Sequence, residues 1–124
     1  MVNVKWEKLC GLAQAEIEAA LADMPKPLRA KAKALPVTLE RVPSFELQVD
    51  GIEIDTLGLF VGVTMAEEGE ILMPAQIILF LENIWDCAEK EEKVFRKEIR
   101  TTFLHELGHF FGLDEAELAA RCLE

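Results

Sequence analysis

The chain has 124 residues, 51% hydrophobic and 29% charged, with a formal net charge of −10. That is the composition of a globular protein, and one domain is expected over residues 1–124. So acidic a surface repels phosphate backbones, which excludes nucleic-acid binding, and it favours neutral or cationic partners.

The longest apolar stretch, 71–81, is interrupted by Pro74 and Gln76. It falls well short of the ~20 residues that cross a bilayer, so no membrane partner is expected. The opening MVNVKWEKLCG places Trp6 and charges where a signal peptide needs an apolar run. A cytoplasmic protein is expected. Cys10, Cys87 and Cys122 are scattered and form no C-x-x-C pair. They read as free, small, buried residues in a reducing compartment.

Taken in chain order, the spacing of Val4, Leu9, Leu12, Ile17 and Leu21 predicts a helix over 3–23, capped by Asn3 and followed by Pro25 and Pro27. A second short helix is predicted over 28–34, with Arg29, Lys31 and Lys33 as a solvated basic face. Alternation over 37–42 predicts a strand ending at Pro43. Residues 44–55 read as a loop, and LGLFVGVT, 57–64, reads as a strand broken by two glycines. AEEGE marks a turn. Residues 71–73 and 76–81 read as the two arms of a strand pair around Pro74.

From Asp86 to Phe111 the period becomes helical, with Phe95, Ile99, Phe103, Leu107 and Phe110 as one apolar stripe. Gly112 suits the end of that helix. A last helix is predicted from Asp114, carrying Leu118 and Leu123. The order of elements implies an α+β single-domain fold: a small mixed sheet packed on a long helix, with flanking N- and C-terminal helices.

That long helix carries His105-Glu106-Leu107-Gly108-His109, an H-E-x-x-H motif that uses both histidines of the chain. Residues four apart share a helix face, so both imidazoles point the same way, away from the Phe95–Phe103 stripe, and can hold one Zn2+ per chain. Glu106 lies beside the ligands without being one. It is the expected catalytic base, taking a proton from a metal-activated water and handing it to the leaving amine. The run continues as HELGHFFGLDE. Gly112 lets the chain turn sharply, and Glu115 is the expected third metal ligand. Asp114 and Glu117 are the alternatives, Asp114 having a competing use as a helix N-cap.

The motif resembles that of the small bacterial zincin-like metallopeptidases, the minimal zincins, whose pattern H-E-x-x-H-x-x-G-x-x-D falls on His105, Glu106, His109, Gly112 and Glu115. This sequence has Glu at the last position instead of Asp. PVTLERVP, LGLFVG and PAQIILFLENIW are similar to the strands that precede the motif in that family. The resemblance implies a zincin-like fold and a zinc-dependent peptidase that acts on a peptide or protein substrate. It also implies a peptide laid along an exposed strand edge, for which 57–64 is the candidate. The alternative function is a catalytically weak metal-binding or protein-interaction module on the same scaffold.

Overall fold

The computed structural model describes residues 6–62 and 75–112. Eight elements follow in order among them: α1 (Trp6–Ala22), α2 (Lys26–Lys33), β1 (Val37–Glu40), α3 (Phe45–Val49), β2 (Gly58–Val61), β3 (Gln76–Phe80), α4 (Leu81–Cys87) and α5 (Glu92–Phe110). The strands form a mixed sheet in the order β1-β3-β2. β1 runs parallel to β3 with Val37 opposite Ile77, and β2 runs antiparallel to β3 with Gly58 opposite Leu79. This is the α+β architecture expected from the sequence.

β3 is central because its run QIILF is apolar and β-branched, and Ile77, Leu79 and Phe80 are fully buried. The α5 stripe packs as predicted: Phe95, Ile99, Phe103, Leu107 and Phe110 are all buried. α1 lies against α5 through Leu9, Ala13, Ile17 and Ala20. Leu12 and Leu21, read as part of its stripe, pack only partly buried at the margin. Three ion pairs edge this contact: Lys8–Glu92 at 3.0 Å, Glu16–Arg96 at 3.0 Å, and Asp23–Arg100. Exposed pairs of this kind contribute about 0–1 kcal/mol each, so the apolar seam dominates.

Several expectations change in detail. Arg29 is not a solvated charge: its guanidinium donates to the carbonyls of Leu21, Ala22 and Met24, the open end of α1. The expected loop 44–55 contains α3, whose N-cap Ser44 accepts a hydrogen bond from the Leu47 amide at 3.2 Å. Cys87 is exposed, against the expected burial, and Cys10 is half-buried. Burial, with the nearby Glu7 carboxylate, pushes the Cys10 thiol up and keeps it protonated. Asn3, the turn AEEGE, the strand arm 71–73, Cys122 and the last helix lie outside the described residues.

The largest correction concerns the long helix. The helical period read from Asp86 onwards belongs to two helices, because α4 ends at Cys87 and α5 starts at Glu92. Between them the Lys90 amide donates to the Trp85 carbonyl and the Glu89 amide to that of Asp86. That pair of bonds is a Schellman termination, which needs a left-handed residue after the cap. Here non-glycine residues fill it: Glu89 has φ 54° and Lys90 φ 60°. With no glycine to mark the stop, the period runs on in the sequence. Glu89→Gly is therefore expected to stabilise the fold by on the order of 1 kcal/mol. A higher urea midpoint with unchanged slope checks this.

Candidate metal centre and cleft on α5

One face of α5 carries Glu98, Thr101, Thr102, His105, Glu106 and His109, at helical spacings of three and four. The opposite face is the buried phenylalanine stripe, and packing of that stripe fixes which way the first face points. His105 and His109 are half-buried neighbours, their ring centroids 4.9 Å apart and their planes at 79°. The i,i+4 geometry thus brings the two predicted ligands together. α5 ends where the sequence indicated: Phe111 is the C-cap, and Gly112 follows with φ 88° and donates its amide to the His109 carbonyl at 2.9 Å.

The chain past Gly112 lies outside the described residues, so Glu115, Asp114 and Glu117 have no placement here. Among the described residues no group of three or more His, Cys, Asp or Glu is gathered to hold a metal. The donors that are placed suit zinc, since two imidazoles one helical turn apart on a half-buried face match its preference for nitrogen ligands. Substitution separates the three third-ligand choices. Glu115→Ala is expected to weaken zinc binding more than Asp114→Ala or Glu117→Ala, as read by equilibrium zinc titration. The reverse order reassigns the ligand.

Beside the histidines a cleft of about 260 Å3 opens between α5 and the start of β2. Glu98, Thr101, Thr102, His105 and Glu106 line it from the helix, and Gly58 at the start of β2 and Leu57 just before it face them. The sequence reading missed the part played by Gly58. A Cβ placed there would lie 2.6 Å from Thr102 Cγ2 and 3.4 Å from Glu106 Cγ. Only a residue without a side chain lets β2 approach the motif helix this closely, so a glycine inside a strand pattern was the available signal.

Asn83 was missed as well. Its amide donates to the carbonyls of Ile54 at 2.7 Å and Thr56 at 2.9 Å, which ties the segment before β2 to α4. The Phe80 amide adds a bond to the Leu57 carbonyl at 2.9 Å. The strand wall of the cleft is therefore held from α4 and β3, and the helix wall by the core. Among the described residues β2 pairs on one side only, with β3.

A sequence profile described as zincin-like metallopeptidase matches residues 32–123. The chain belongs to the zincin-like metallopeptidase family. The matched span takes in the sheet, the cleft and the whole H-E-x-x-H run, while α1 lies outside it. Comparison with curated proteins gives no match. Membership implies zinc binding in general terms. Among the described residues of this zincin-like chain no helix is long and apolar enough to cross a membrane.

Proposed function

We propose that the protein is a zinc-dependent peptidase in which His105, His109 and Glu115 hold one Zn2+ and Glu106 is the general base. The observation that carries this reading is the H-E-x-x-H face of α5, with both imidazoles side by side and Glu106 lining a cleft. When bound, the metal supplies Lewis acidity, lowering the pKa of water towards about 7 and polarising a substrate carbonyl.

The chain's own residues do the rest. Glu106 follows His105 directly, about 100° further around the helix, so it sits beside the ligands and is not one of them. Its carboxylate accepts the proton of the attacking water and returns it to the leaving amine. A structural zinc site has no use for such a base. Thr102 and Gly58 flank Glu106 in the cleft and leave its carboxylate half-buried beside the two imidazoles. An extended peptide adds along the edge of β2, whose paired side faces β3. The substrate is a peptide or protein, with no role for nucleic acid or membrane.

One observation favours a second reading. The cleft is smaller than the ~300–1,000 Å3 usual for ligand pockets, as suits a metal-binding or protein-interaction module with weak catalysis. Zinc titration and peptide turnover on the same preparation test both readings. One Zn2+ per chain is expected, with His105→Ala and His109→Ala each weakening it by on the order of 100-fold, at least the loss seen for residues that merely support ligands. Unchanged affinity in both variants rejects the site. Full zinc binding without cleavage anywhere in a broad peptide library favours the module.

A further inference from the structure

The cleft beside Glu106 has a second carboxylate at its other end. We propose, resting on the peptidase reading above, that Glu98 is a specificity-determining residue that selects substrates with a lysine or arginine side chain next to the bond to be cleaved.

Glu98 and Glu106 both line the cleft and are eight residues apart on α5, about 12 Å of rise at ~1.5 Å per residue. Between them the walls are Leu57, Gly58, Thr101 and Thr102. Their surface is mostly apolar, and the Thr102 methyl lies against Gly58. An aliphatic trough ending in a carboxylate matches a side chain with a long apolar stem and a cationic head.

The surrounding charges support the same occupant. The arginines that flank Glu98 on α5 are turned to the other side of the helix: Arg96 pairs with Glu16 and Arg100 with Asp23, both on the α1 side. Glu98 is half-buried and, among the described residues, makes no ion pair of its own. No cation of the described residues takes up this carboxylate, so an incoming ammonium or guanidinium can make a charge-assisted hydrogen bond to it inside the cleft. The chain's net charge of −10 adds a long-range attraction for cationic substrates.

Reach then selects the kind of cation. The lysine stem carries its ammonium about 6 Å from the backbone, so a residue held at the Glu106 end can extend its head along the trough towards Glu98. The α-ammonium of the residue whose carbonyl is attacked lies within about 3.6 Å of that carbonyl, too short to bridge the two carboxylates. A side chain is selected, not a free N-terminus.

The test uses the zinc-loaded full chain and otherwise identical neutral peptides in which Lys, Met or Glu is scanned through the positions flanking the cut. Each peptide is made with a free and with an acetylated N-terminus. Both kcat/KM and the equilibrium Kd from fluorescence anisotropy of labelled peptides are measured. Lys peptides are expected to be favoured over Met peptides by about 10–100-fold, with or without acetylation. Glu98→Gln is expected to erase that preference and Glu98→Lys to shift it towards Glu peptides, each read as the ratio to the Met peptide within the same protein. A preference that survives Glu98→Gln, one that follows the free N-terminus, or none at all overturns the inference. Glu98-dependent binding of Lys peptides without any turnover supports the cation site and counts against the peptidase reading alone. Absence of both binding and turnover overturns the two together.

Discussion

Glu106→Gln is expected to lower peptide hydrolysis by about 10²–10⁴-fold while zinc occupancy stays close to that of the wild type. The amide is nearly isosteric with the carboxylate, so the contacts that Glu106 makes with its surroundings need little change. Its Cγ faces Gly58, where a Cβ would come within 3.4 Å. What the amide lacks is the ability to take a proton. The residues expected to hold zinc are His105, His109 and Glu115, and none of them is altered. The required pair of measurements is zinc content and turnover on the same peptide. Turnover retained at full zinc occupancy removes Glu106 as the base. Loss of zinc along with turnover makes Glu106 part of the metal site instead.

The motif was legible because every part of its logic is local. An i,i+4 histidine pair needs only a helix, and the stripe Phe95, Ile99, Phe103, Leu107, Phe110 declared the helix and its buried side at once. Gly112 marked the end for an equally local reason, the left-handed turn it makes at φ 88°. The strands β1, β2 and β3 were also placed by alternation and β-branched runs, each a little shorter than read.

What the sequence hid depends on contacts between distant segments or on a broken local rule. The α4–α5 junction puts Glu89 and Lys90 at positive φ where a glycine would have announced the stop. α4 itself follows β3 without an intervening loop and with no side-chain cap at Phe80, so LENIW reads as the tail of the strand. Gly58 looked like a defect in a strand until Thr102 and Glu106 were placed against it. Asn83 carries no local pattern, since its two acceptors lie 29 and 27 residues away. The cleft therefore has a helix wall that was readable and a strand wall whose strand was readable but whose close approach to the helix was not.

Phe95→Ala is expected to cost about 3–5 kcal/mol, the usual range for emptying a buried aromatic site. Phe95 is 0% exposed and packs edge-on against Trp85 of α4, with ring centroids 5.4 Å apart at 78°. Its loss thus leaves a cavity at the junction of α4 and α5, where two left-handed residues already occupy the turn and leave little freedom to collapse. Set against a total stability of about 5–15 kcal/mol, the change is large enough to populate the unfolded state. Urea unfolding should show a lower midpoint with an unchanged slope. The substitution lies ten residues from His105, about 15 Å along the helix, so the geometry of the metal ligands in the folded form is not altered. Zinc that binds only the folded chain then restores stability by linkage, about 2.7 kcal/mol at a free concentration 100 times its Kd. The same increment is expected in wild type and in Phe95→Ala. An equal zinc-induced shift in both places the binding site away from the cavity. No shift in either means that zinc does not bind the native fold, whereas a shift lost only in Phe95→Ala means that the α4–α5 junction helps to hold the metal site.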